Sequence, residues 1–257
     1  MDLLDLRNED RMAEALSEVV LPRPRISDDR KTGFLYRRIT MTTTEKIWFV
    51  SDLHFSHKNI LKYSTGRGEE LGLDLDSPDM LSKHDEALIR RWNMTVGKHD
   101  VVYILGDLSF AKAEDTRIIL GRLNGKKHLI IGNHDQSCRG LDNYFVSTSQ
   151  IKEVTFKKTL FPFLDENMHC VLCHFPLMAW NRRMHGSCMV HGHLHGSGDD
   201  FNEMSEELRV DIGFDSRLAD FGLVSLEQLY EHFKRVRKGR SYKEHIAYLV
   251  EKNGFRA

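Results

Sequence analysis

Three short apolar runs, each ending in residues able to ligate a metal, constrain this chain more than any other feature. Ile47-Trp48-Phe49-Val50 runs into Ser51-Asp52-Leu53-His54. Val101-Val102-Tyr103-Ile104-Leu105 runs into Gly106-Asp107. Leu129-Ile130-Ile131 runs into Gly132-Asn133-His134-Asp135. Continuous apolar runs of this length read as strands buried on both faces. Gly132 lets the backbone turn sharply where its strand ends. Helical spacing separates the runs, so the order is strand, helix, strand, helix, strand, which predicts a parallel sheet. Open α/β sheets present ligands at the carboxyl ends of their strands. The three strands therefore bring Asp52, His54, Asp107, Asn133 and His134 to one edge. An isolated Asp-x-His or a Gly-Asn-His-Asp turn is a weak motif, and their convergence is what gives them weight.

The first connecting helix is expected from Ser77-Pro78, with Ser as cap and Pro in the first turn, to Gly97. His84 and Arg91 read as surface residues of that helix, and residues 66–76, rich in Gly and Asp, read as a loop. A second helix is expected over residues 111–123, turned by Asn124-Gly125. After residue 143 the pattern changes to short strands at 144–148, 151–157, 159–164 and 168–173, which predicts a second, more antiparallel sheet. Its last strand ends in His174.

Cys170-Val171-Leu172-Cys173-His174 has the spacing of a covalent haem site. On a buried strand the two Cys point to opposite faces, so they read as small core residues. Further on, His191-Gly192-His193-Leu194-His195-Gly196 places three His at alternate positions beside two Gly. Metal ligation explains this clustering better than packing does, with His193 and His195 as ligands and His191 behind them. The loop 180–188 carries Arg182 and Arg183, which suit phosphate, and Trp180, which suits a flat ring; a solvated loop is the alternative. A strand is expected over 208–214, with Asp211 and Asp215 structural. Ser225 to Gln228 forms a capping box that starts a helix reaching about Lys238. The basic residues at its end complement the helix dipole, with a nucleic-acid patch as the alternative.

Composition sets outer bounds. A net charge of −1 gives no bulk attraction to nucleic acid or acidic membranes. No apolar stretch is long enough for a transmembrane helix. The acidic start lacks the apolar core of a signal peptide, and four Cys without one suggest reduced thiols and a cytoplasmic protein. Of fourteen His, six lie between His169 and His195. Residues 1–44 read as an accessory extension, with one helix over 9–20 stopped by Pro22 and Pro24, a β-like stretch over 33–40, and Met41 as an alternative start. Residues 45–257 read as the functional domain.

Taken in order, Asp52-x-His54, Gly106-Asp107, Gly132-Asn133-His134-Asp135, His174 and Gly192-His193-x-His195 resemble the calcineurin-like metallophosphoesterase superfamily over roughly residues 46–215. Ser51-Asp-Leu-His-Phe and Leu123-Asn-Gly-Lys-Lys-His-Leu-Ile are similar to its small bacterial and phage members. The resemblance implies an α/β sandwich of two mixed β-sheets flanked by helices. It implies two divalent metal ions, Mn²⁺ first, with Fe, Zn, Ni or Co able to occupy the same donors. Asp52, His54, Asp107 and His195 would hold one metal, and Asp107, Asn133, His174 and His193 the other, with Asp107 bridging. His134 would be the acid beside the leaving group, oriented by Asp135. His57, Arg182 and Arg183 are candidates for substrate contact. The implied activity is phosphoester hydrolysis, of diesters first, by metal-activated hydroxide attack on phosphorus. A DNA or RNA nuclease is the alternative, and a non-catalytic scaffold a further one. A nucleotide is a candidate substrate, and no membrane partner is expected.

Overall fold

A computed structural model describes residues 45–253. The readings for residues 9–20, 33–40 and Met41 lie outside these residues.

β1 (Ile47–Val50) is followed by two short helices, α1 (Ile60–Tyr63) and α2 (Thr65–Glu70), and then by the long α3 (Met80–Thr95). Next come β2 (Val101–Ile104), α4 (Ala113–Arg122), β3 (Lys126–Ile130) and β4 (Ser147–Ser149). β5 (Ile151–Phe156), β6 (Met168–Cys173), β7 (Cys188–His191), α5 (Asp199–Ser205) and β8 (Arg209–Asp211) follow. β9 (Val224–Ser225), α6 (Leu226–Val236) and α7 (Tyr242–Asn253) complete the order. The first sheet runs β4-β3-β2-β1-β9, parallel except for β9; the second runs β5-β6-β7-β8. This is the two-sheet α/β sandwich expected from the resemblance.

Successive strand residues face opposite ways, and the apolar runs use both faces. Phe49, Tyr103 and Ile130 enter a core shared with Cys170, Leu172 and Val190 of the second sheet. Their neighbours Val50, Ile104 and Leu129 pack outward on Leu88 and Trp92 of α3 and on Ile119 and Leu120 of α4. A strand with a core on each face has no polar side to show, which is why these runs are continuously apolar. Cys170 and Cys173 do face opposite sides: Cys173 joins a small cluster with Trp180 and Met189.

Several local expectations are corrected. The second sheet is mostly parallel, since only β5 pairs antiparallel, with β6. Residues 159–164 form turns, and the strand expected at 144–148 is Ser147–Ser149, which extends the first sheet beside β3. Residues 66–76 are part helix. His84 is fully buried, and Arg91 is half-buried, donating to the carbonyls of Phe221 and Glu70 at 2.6 and 2.9 Å. Helical spacing says which face is apolar but not that a second wall of chain covers the polar one.

Candidate metal centre

Every expected ligand lies just beyond the carboxyl end of a strand. Asp52 and His54 follow β1, Asp107 follows β2, Asn133 follows β3, His174 follows β6, and His193 and His195 follow β7. The turns that carry them run against local backbone preference. Asp52, His54, Asp107, His193 and His195 have φ between 50° and 71°, a region that costs a non-Gly residue about 1–3 kcal/mol. Such conformations persist only where the surroundings impose them. Glycine supplies part of the close packing: a Cβ on Gly192 would meet Asp52 Oδ2 at 2.5 Å.

The turns assemble two groups. Asp52, His54 and His195 form one, and Asp107, His174 and His193 the other, with the donor atoms of each within 4.8 Å of one another. Asn133 Oδ1 joins the second group, 3.0 Å from His174 Nε2. Asp107 faces both: its Oδ2 is 3.8 Å from His54 Nε2 and its Oδ1 is 3.5 Å from His174 Nε2. All seven residues expected as ligands are thus brought together.

The donor set fits cations. His195 Nδ1 donates to Asp215 Oδ2 at 2.7 Å, which leaves a lone pair on Nε2 of the neutral ring. That Nε2 lies 3.1 Å from His54 Nε2 and 3.7 Å from Asp52 Oδ1. Asp52 Oδ1 is buried and has no hydrogen-bond partner. His174 Nδ1 donates to the Leu105 carbonyl at 2.7 Å, so its Nε2 lone pair faces the Asn133 carbonyl oxygen. Acceptors aimed at each other in a buried site repel unless a cation lies between them. Burial, with His195 beside it, pushes the His54 pKa down to about 2, which keeps its imidazole free to ligate. Burial raises the Asp52 carboxyl to about 6, against the pull of His195 and His174. Two carboxylates, one amide and four imidazoles sum to −2, so two divalent cations would leave a net positive site for an anionic ester.

A cleft of about 660 Å³ opens over the two groups. His134 is exposed in it, with its ring 4.5 Å from Phe110 and 6.1 Å from His54. His57 also lines it, stacked on Phe110 at 4.0 Å. Arg182 and Arg183 do not line it. Arg183 pairs with Glu207 and lies over the ring of Trp180, which is buried and donates to the Ser187 carbonyl. The Trp180 ring is therefore not free to stack on a ligand. His191 enters neither group and contacts the Gly192 carbonyl and Asn202.

Asp135 corrects a second expectation. Its Oδ2 accepts from the backbone N–H groups of Asp107 and Gly132 at 3.0 and 2.7 Å, and its Oδ1 from Leu108 at 2.8 Å. It ties the turn after β3 to the turn after β2 instead of orienting the His134 ring. Asp135→Ala would leave these donors unpaired, at about 1 kcal/mol or more each. The expected loss is about 3 kcal/mol in urea unfolding. A variant of unchanged stability and reduced activity would restore the orienting role.

Sequence reasoning missed two buried residues behind the ligands, Asp215 and Arg67. Asp215 was read as structural, yet it sits directly on His195. Although burial opposes it, hydrogen bonds from His195 and Arg67 hold its carboxyl well below the usual range. Asp215 directly follows the strand expected over residues 208–214 and so shared the strand-end signal, whereas Arg67 lies in the stretch read as a loop and carried none.

The fold and the paired nitrogen and oxygen donor sets define a class of metal-dependent hydrolase. The chain belongs to the calcineurin-like phosphoesterase family, whose model matches residues 45–232. It is 26% identical over 206 residues to the gene 66 protein of Mycobacterium phage L5, spanning 72% of this chain and 92% of that one. It is 28% identical over 197 residues to an uncharacterized protein of Methanocaldococcus jannaschii, spanning 76% and 93%. A crystal structure of a protein of unknown function from Aquifex aeolicus shares the fold, with a TM-score of 0.51 at 18% identity over 73% of this chain and 99% of that one. Membership implies metal-dependent phosphoester hydrolysis.

Proposed function

We propose that this protein hydrolyses compact phosphodiesters at a two-metal centre. The observation that carries the reading is Asp107, whose two carboxylate oxygens face the two donor groups separately. Asp52, His54 and His195 would share Asp107 with Asn133, His174 and His193. Mn²⁺ is the ion to supply first, because the mixed N/O donors do not select strongly among first-row metals. When bound, two such cations neutralise phosphate charge and lower the pKa of water toward neutrality.

The chain's own residues supply the rest. Asn133 adds an oxygen donor without adding negative charge next to phosphate. The His134 backbone N–H donates to Asp107 Oδ1 at 2.9 Å, which fixes the carboxylate and places the imidazole at the cleft. His134 then donates a proton to the leaving-group oxygen. His57 and Phe110 form an aromatic wall beside it, suited to a flat group such as a nucleobase.

Two observations favour a compact substrate over nucleic acid. No Lys or Arg is among the cleft-lining residues described, whereas binding to a nucleic-acid backbone rests on such cations. Three of the basic residues near the end of α6 face acids: Lys234 lies 3.3 Å from Asp165, Arg237 3.3 Å from Glu166, and Lys238 2.8 Å from Glu206. Four buried free thiols among the described residues agree with a cytoplasmic setting. No helix of the described residues is long and apolar enough to cross a membrane.

Bis-p-nitrophenyl phosphate and p-nitrophenyl phosphate test the reading, with chelated protein and added Mn²⁺. Metal-restored cleavage of the diester, faster than of the monoester and nearly independent of salt, is expected. Cleavage of the monoester alone would make the enzyme a phosphatase. A steep fall of nucleic-acid cleavage with salt would support the nuclease.

A further inference from the structure

The short helix α2 carries one residue whose whole side chain serves the site from behind. Arg67 is fully buried. Its Nε and Nη2 donate to Asp215 Oδ1 and Oδ2 at 2.8 and 2.5 Å. Its Nη1 donates to the Leu53 carbonyl at 3.0 Å, and Nη2 also to the Asp52 carbonyl at 2.9 Å. The fork thus holds two things at once. Through Asp215 it fixes the acceptor that sets the proton of His195 on Nδ1. Through the two carbonyls it grips the turn in which Asp52 and His54 have φ of 58° and 53°.

The helix is fitted closely around this residue. Gly66 and Gly68 flank Arg67, and a Cβ on either would press on Phe221 at 3.1 Å or Leu75 at 2.8 Å. Ser64, just before the helix, donates to Asp215 Oδ1 at 2.6 Å. Ser64, Thr65 and Gly66 also line the cleft. One wall of the substrate cleft and three donors of one metal group therefore share a single anchor. Arg is needed because a Lys offers one nitrogen and no planar fork.

We infer that Arg67 is a positioning residue for the Asp52–His54–His195 donor group, acting through Asp215 and the Asp52 and Leu53 carbonyls, and that it sets the affinity of that metal site but not of the other. The inference rests on the two-metal reading above. Partners behind metal-ligating groups typically change affinity by about 10–100-fold.

The test is Mn²⁺ titration of the full chain by calorimetry, with ¹⁵N NMR of the His195 ring. In Arg67→Gln, one of two sites weakens by about 10–100-fold and the other stays within about threefold. In the neutral, metal-free His195 ring the proton moves from Nδ1 alone, where the wild type holds it against Asp215, to a mixture of the two nitrogens. A folded Arg67→Gln with both sites and the tautomer unchanged overturns the inference, as does equal weakening of both sites. If circular dichroism shows that Arg67→Gln does not fold, Asp215→Asn decides. It keeps the Arg67 contacts to the two carbonyls, and the same selective loss is expected, while unaltered sites overturn the inference. Wild-type protein that binds no Mn²⁺ would overturn the two-metal reading itself, a result distinct from failure of Arg67 alone.

Discussion

Asp107→Asn is expected to remove both metals together. The wild-type carboxylate turns one oxygen to each donor group. The substitution replaces one oxygen with an amide nitrogen that cannot ligate and removes the negative charge between two cations. It also disturbs the acceptor of the His134 backbone N–H. Bound metals contribute several kcal/mol to transition-state stabilisation, and each ~1.4 kcal/mol is tenfold in rate. Diester hydrolysis should therefore fall by roughly a thousandfold or more. Elemental analysis of the purified variant should show both metals depleted. Retention of one metal at full occupancy would show that Asp107 serves one site only.

His134→Ala is expected to behave in the opposite way, keeping both metals and losing turnover. The ring of His134 belongs to neither donor group and stands exposed in the cleft beside Phe110. General acid help is worth about 10²–10⁴-fold, and its value rises as the leaving group becomes more basic. Alkyl esters should suffer the larger loss, and p-nitrophenyl esters, whose leaving group needs little protonation, the smaller one. Equal losses on the two ester types would remove the acid role. Depletion of metal in the variant would move His134 into the ligand set.

The candidate ligands were legible because each follows a strand, and strands announce themselves as apolar runs. Asp52, Asp107 and Asn133 could be placed on one edge before any packing was known, since parallel strands joined by helices leave little choice of topology. His193 and His195 were legible from their density beside Gly192. What was not legible depends on contacts distant in sequence. Asp215 reaches His195 across 20 residues and Arg67 reaches Asp215 across 148; the strand end before Asp215 marks its place but not its partner, and nothing local marks Arg67. Asp135 was misassigned for a related reason. Its place next to His134 suggested a side-chain partnership, while the fold spends its carboxylate on three backbone amides. The Arg182–Arg183 loop was misleading in the same way, because composition suggests an anion site and the fold sets Arg183 against Glu207. The strand at Ser147–Ser149 pairs with β3, a long-range choice that its short polar sequence does not encode.

The most direct test of the central claim is a crystal structure of the protein grown with Mn²⁺, with data collected at the manganese absorption edge. Two anomalous peaks about 3.5–4 Å apart are expected, one among Asp52, His54 and His195, the other among Asn133, His174 and His193, with Asp107 between them. A single peak, or two peaks that do not share Asp107, would contradict it.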